Sequence, residues 1–175
     1  GAIVRLHALD EKSLGHPEIY VPGIALPEGI SEPPPRVDLL RTVWWHFHDE
    51  PHPPGYYFLL WPWTKIAGTS VFALRLPSAL FGIGCILLVY ALAAGTHGVR
   101  TGLFAAALLA FNGNHVHWSQ LARMYSLTCL LGLASTWLLL ALLRDPHPRR
   151  GRELAYLAVT GFGLFTEILV WPLLA

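Results

Sequence analysis

Four apolar runs, Pro77 to Ala94, Thr101 to Val116, Met124 to Leu143 and Leu154 to Ala175, decide what this chain can fold into. Each is roughly 16 to 22 residues with few or no charges, close to what a helix needs to cross a hydrocarbon layer about 30 Å thick. Small residues recur inside them, as in Ala105, Ala106 and Ala107 or Gly132, Ala134 and Ser135, and allow helix backbones to approach closely. With 54% hydrophobic and only 13% charged residues, the 175-residue chain lies outside the usual soluble range. The expected fold class is an all-α integral membrane protein, and residues 77–175 form its transmembrane region, with helices over about 77–94, 101–116, 124–143 and 154–175.

Charge divides the chain in the same place. Eight of the eleven acidic residues lie within the first 53 positions, so the N-terminal third reads as a solvated segment. Between Gly1 and Arg36, prolines at 17, 22, 27, 33, 34 and 35 exclude a long helix or a central strand. Ile19, Tyr20, Val21 and Ile24 argue against plain disorder, which leaves a folded extramembrane loop. Val37, Leu40, Val43, Trp44 and Phe47 then recur at helical spacing and predict an amphipathic interfacial helix over about 37–47. A second interfacial helix is expected over about 55–67, because GYYFLLWPWTKIAG is too short to span and Pro62 interrupts it. Residues 1–76 thus form one extramembrane loop with interfacial helices. The opening GAIVRLHAL and the closing LVWPLLA both read as parts of apolar segments, and the chain is expected to be a piece of a longer protein.

Orientation follows from the arginines. RDPHPRRGRE, Arg144 to Glu153, holds four of them in ten residues and is the expected cytoplasmic loop. Counting helices outward places residues 1–76 and the loop from Asn114 to Arg123 together on the exoplasmic side. Three polar groups then share one face: the carboxylates Glu18, Asp49 and Glu50; the segment HVHWSQLARMY, His115 to Tyr125; and Arg75 in ALRLPS. An acidic loop facing arginine at a lipid boundary suits a lipid-linked phosphate, with Arg holding phosphate oxygens and a carboxylate managing a proton. Arg75 is expected to snorkel to the headgroups, whereas Arg123, among Gln120, Tyr125 and His117, suits either snorkelling or a functional role.

The stretch HFHDEPHPPGYY, His46 to Tyr57, packs three histidines, two carboxylates and three prolines into the boundary between loop and membrane. His48 and His52 have the spacing of a helical metal pair, but Pro51 disfavours the helix that would align them, and no metal site is expected, although a divalent ion remains an option. Cys85 and Cys129 fall inside apolar runs without CxxC spacing or flanking histidines and read as packing residues. Glu167 is an acid about two-thirds along the last apolar run, with no partner suggested by the sequence.

SLGHPE, HDEPHPPGYYFLLW, FALRLPSALFG and WSQLARMYSL, in this order and spacing, resemble the membrane glycosyltransferases of family 39, relatives of the protein O-mannosyltransferases and aminoarabinose transferases with the GT-C fold. The resemblance implies transfer of a sugar, with inversion, from a polyprenyl-phosphate donor to an acceptor hydroxyl at the exoplasmic face. It implies no certain cofactor, a multi-pass place in the bacterial inner membrane, and partners limited to the lipid-linked donor, membrane lipids and a protein, lipid or glycan acceptor, with no nucleic acid.

By the same resemblance His52 lies close to the carrier phosphate, and Arg123 and Tyr125, with Gln120, contact phosphate and pocket. The family's first loop usually reads SLWxDE, with the Asp as base; here Gly15 replaces the Trp and Pro17 stands at the Asp position. Proline cannot accept a proton. Either Glu18 acts from one residue along, or Asp49 and Glu50 supply the base, or the chain is a non-catalytic membrane subunit; Glu18 ranks first and Asp49 second. A polytopic transporter fragment is the other alternative, disfavoured by the absence of internal repeats and by the clustering of polar residues at one face.

Overall fold

A computed structural model describes residues 1–11, 13–15, 18, 39–40, 43–44 and 52–167. Among them every regular element is a helix: α1 (Ala2–Leu6), α2 (Gly55–Ala67), α3 (Val71–His97), α4 (Val99–Phe111), α5 (Gly113–Ser119), α6 (Tyr125–Leu143) and α7 (Arg150–Thr166). The expected helix over 37–47 falls largely outside the described residues, as do Asp49 and Glu50.

The hub is α3, which packs against α1, α2, α4, α5 and α6, while α7 closes against α6 and the start of α2. It begins six residues before the expected position, because Ser70 caps it by accepting a hydrogen bond from the Ala73 N–H at 3.2 Å. Pro77 therefore lies inside the helix, where it cannot donate to the carbonyl of Ala73. That carbonyl is satisfied from outside: the Trp63 indole N–H of α2 donates to it at 2.7 Å. The proline that weakens α3 thus creates the acceptor that docks α2. Nor does Pro62 interrupt α2, which runs through it from Gly55 to Ala67.

Both α3 and α6 are long and apolar enough to cross a membrane, yet only 22% and 17% of their most apolar windows are buried within the protein. The core helix of a soluble protein would be mostly covered; these two turn leucines and aromatics outward, as a lipid solvent requires. The protein is an all-α membrane protein. Ser135 of α6 and Thr160 of α7 share a hydrogen bond of 2.8 Å on the opposite, inward face.

Two apolar runs end differently from their sequence expectation. The run 101–116 breaks after Phe111, where the Asn112 side chain accepts from the His115 N–H at 2.9 Å and starts α5. Asn followed by Gly is a turn-forming pair, so local chemistry overrides hydrophobic length here. In the run 154–175, α7 ends at Thr166 and Glu167 is extended; residues 168–175 lie outside the described set. Glu167 is thus a helix-end residue and not, as its place in the run suggested, an acid within a helix.

The packed centre lies where α2 meets α3 and the turn before α6. Tyr56, Tyr57, Leu60, Leu74, Ala122, Met124 and Leu127 form one buried cluster, edged by Leu14, Trp63 and Phe81. Gly55 permits a close backbone approach, since a Cβ there would lie 2.7 Å from the carbonyl oxygen of Phe165 and 2.8 Å from the Cα of Thr166.

Candidate active site

Glu18 and Arg75 meet at the top of α3. The guanidinium donates twice to the carboxylate, Nε to Oε1 at 2.8 Å and Nη2 to Oε2 at 2.7 Å, with both residues buried. Arg75 also donates to the carbonyls of Leu9 and Ser13, at 2.7 and 3.1 Å. Glu18 in turn accepts from the backbone N–H groups of Gly15 and Ala122, each at 2.9 Å. Arg75 does not reach for the headgroups; it faces inward, because a buried carboxylate and two loop carbonyls give it more than water would.

These bonds fix the chemistry of Glu18. A carboxylate offers about four acceptor directions, and four donors already use them. Burial pushes the carboxyl pKa up, but the hydrogen bonds from Arg75, Ala122 and Gly15 outweigh it and hold the group below its ordinary value. A depressed, saturated carboxylate is a clamp that ties the first loop to α3 and to the turn before α6. It is poorly suited to take a proton from an incoming hydroxyl.

The same turn carries Arg123. Its Nη1 donates to the Tyr57 hydroxyl at 2.6 Å, and its carbonyl accepts from Ser78 Oγ at 3.2 Å. Ser78 Oγ also shares a hydrogen bond of 2.9 Å with the Tyr56 hydroxyl. Glu18, through Ala122, and Arg123 are therefore neighbours in one polar network, with α2 supplying two phenols. Tyr125 opens α6, and its ring lies 4.3 Å, centroid to centroid, from Trp118. Gln120 is engaged elsewhere, its amide donating to the carbonyls of Val4 and His7 at 3.0 and 3.1 Å. That amide fastens the end of α1, a role that chain spacing could not reveal.

On the other side of α2, His52 Nδ1 lies 3.3 Å from Glu167 Oε2, the acid buried and the imidazole partly open. The close approach at Gly55 brings the end of α7 to this place. Sequence reasoning found both residues but did not pair them, since 115 positions separate them. Asp49, three positions before His52 in the sequence, lies outside the described residues.

Beside the network runs an apolar groove of about 350 Å³ between α2 and α3, lined by Tyr56, Leu59, Leu60, Trp63, Pro77, Leu80 and Phe81. Six of these seven residues fall in the motifs HDEPHPPGYYFLLW and FALRLPSALFG, but the sequence did not show that they enclose a groove. Tyr56 belongs to both features, its ring lining the groove while its hydroxyl enters the network.

Residues 51–174 match the family model of the dolichyl-phosphate-mannose-protein mannosyltransferases. The chain belongs to this family. Membership agrees with the resemblance read from the four motifs and assigns glycosyltransferase activity in general to a membrane protein of this kind. Members of the family use lipid-linked sugar donors, which gives the general kind of partner. The mannosyltransferase match starts at Pro51, so it includes HPPGYY and ARMY but not SLGHPE, Asp49 or Glu50. No curated protein and no solved structure matches the chain.

Proposed function

We propose that this chain forms part of a GT-C glycosyltransferase that moves a sugar, with inversion, from a polyprenyl-phosphate donor to an acceptor hydroxyl at the exoplasmic face. One observation carries this reading: Tyr56 joins an apolar groove to the Arg123–Tyr57 network. A polyprenyl chain needs an apolar trough, and its phosphate needs hydrogen-bond donors at the trough's end. His52 and Arg123 are the phosphate contacts in this reading; a pocket contact for Tyr125 rests on the resemblance, since the groove's lining does not include it. Gln120 acts indirectly, by holding α1.

The base is assigned to Asp49, with Glu50 as its neighbour. The saturation of Glu18 supports moving the role away from it. The carboxylate takes the acceptor proton as the oxygen attacks the anomeric carbon; the carbon–oxygen bond to phosphate breaks, and the departing phosphate is held by cationic donors. The Arg-rich stretch 144–153 supports the orientation, being the cytoplasmic side by charge. The expected membrane is the bacterial inner membrane.

The test is transfer of labelled sugar from a panel of polyprenyl-phosphate donors by the full-length protein in proteoliposomes. Asp49→Asn should lower turnover by about 10²–10⁴-fold, with Glu50→Gln affecting it less. Unchanged turnover in both variants would remove the base assignment. Absence of transfer from every donor would favour the non-catalytic subunit, a reading that Pro17 and the saturated Glu18 specifically support.

A further inference from the structure

Away from this network, three helices bring together residues that chain spacing left apart. Cys85 of α3, Cys129 of α6 and His115 of α5 each offer a ligand atom, all within 4.8 Å of one another. Both cysteines are free thiols, Cys85 buried and Cys129 partly exposed. Soft thiolates at this separation suit a thiophilic d¹⁰ cation.

Arg5 determines which one. Its guanidinium is fully buried and donates to the carbonyls of Gly1, Leu109 and Ala110, each at 3.1 Å, and to His115 Nδ1 at 2.8 Å. Among the described residues no carboxylate pairs with it, and its Nε has no hydrogen-bond partner. That Nε lies beside Gly82, one helical turn before Cys85, at 3.2 Å from where a Cβ would stand. A buried cation without an anion is costly, and two thiolates next to it would supply the missing charge.

The hydrogen bond to His115 also sets the imidazole tautomer. Arginine can only donate, so Nδ1 accepts, and the proton of the neutral ring stands on Nε2. Nε2 is buried and has no acceptor among the described residues. A ring held this way donates to a sulfur and does not bind a metal itself.

We propose that Cys85 and Cys129 bind one monovalent soft cation, Cu⁺ being the physiological candidate, as a two-coordinate bis-thiolate, with Arg5 balancing the charge and His115 donating to a sulfur. Two S–H bonds break, two Cu–S bonds form and two protons leave. The bis-thiolate unit carries one negative charge, which Arg5 cancels. Zn²⁺ in the same place would leave a net positive charge and would require His115 as a third ligand, displacing Arg5 from Nδ1.

The experiment is anaerobic titration of the reduced full-length protein in nanodiscs with Cu⁺, against a chromophoric Cu⁺ chelator, followed by X-ray absorption at the copper edge. One Cu⁺ per chain is expected, bound to two sulfurs and no nitrogen. Cys85→Ser and Cys129→Ser should each abolish binding, whereas His115→Gln should keep the stoichiometry and weaken affinity about tenfold. The absorption spectrum of the unaltered protein needs no variant to fold. A copper–nitrogen bond, retention of copper by either serine variant, preferential uptake of Zn²⁺ over Cu⁺, or a Cys85–Cys129 disulfide in the protein as isolated would each overturn the proposal.

Discussion

Glutamine in place of Glu18 distinguishes a clamp from a base. The wild-type carboxylate receives four donors and lies against a buried arginine, so solvent cannot substitute for any of them. In Glu18→Gln the amide oxygen can still accept two, but the amide nitrogen faces the remaining donors, and each unsatisfied buried group costs about 1–3 kcal/mol. Arg75 loses its bidentate bond to the Glu18 carboxylate, which puts the whole effect near 3–5 kcal/mol. Thermal unfolding of the full-length protein in detergent should report that loss for Glu18→Gln and a similar one for Arg75→Gln. The double variant should lose less than the sum of the two, because the interaction is shared. The folded carboxyl titrates below the ordinary glutamate value of 4.5, so the stabilisation is fully present above that value. It fades as pH falls through the lower, folded pKa, and the gap between wild type and Glu18→Gln should close over the same interval. A Glu18→Gln protein that unfolds like wild type but has lost sugar transfer would refute the clamp and return the base to Glu18.

Other consequences follow from close approaches and from the groove. Gly55→Ala would place a Cβ against the backbone of Phe165 and Thr166, costing about 1–3 kcal/mol in thermal unfolding. Gly161→Ala on α7, where a Cβ meets nothing within 4 Å, should instead raise stability by about 0.5–1 kcal/mol. Leu80→Trp should fill the groove from its half-exposed rim and raise KM for a polyprenyl-phosphate donor while sparing kcat; equal KM values would detach the groove from donor binding. Tyr57→Phe removes one hydrogen bond of Arg123 Nη1 and should cost about 0.5–1.5 kcal/mol, read by the same unfolding assay.

Helix positions were legible in the sequence wherever hydrophobic length and local capping agreed. The run 124–143 became α6 almost residue for residue, since nothing within it competes with the helix. At Asn112 and Glu167 the apolar pattern continues but the backbone turns, in one case through an Asn-Gly pair and in the other at an acid that meets His52. The first turn can be argued from local chemistry alone. The second needed a partner 115 positions away.

The candidate site was legible as a neighbourhood and not as a set of roles. Motif order brought Glu18, Arg75 and Arg123 to the same region, because charge and proline can be read residue by residue. Their division of labour depends on who donates to whom: Glu18 and Arg75 satisfy each other, whereas Arg123 reaches the buried Tyr57 phenol, next in sequence to the tyrosine that lines the apolar groove. The cysteines make the same point from the opposite direction. At 44 positions apart and with no motif, they read as space-filling residues, yet helix packing sets both beside a histidine whose hydrogen-bonded tautomer is fixed by Arg5. Sequence spacing can reveal a site only when its ligands come from one element or one motif. Where three helices each contribute a single atom, the informative signal is energetic: a buried arginine without a carboxylate beside an imidazole without an acceptor, among the described residues, marks charge that the fold leaves for something else to balance.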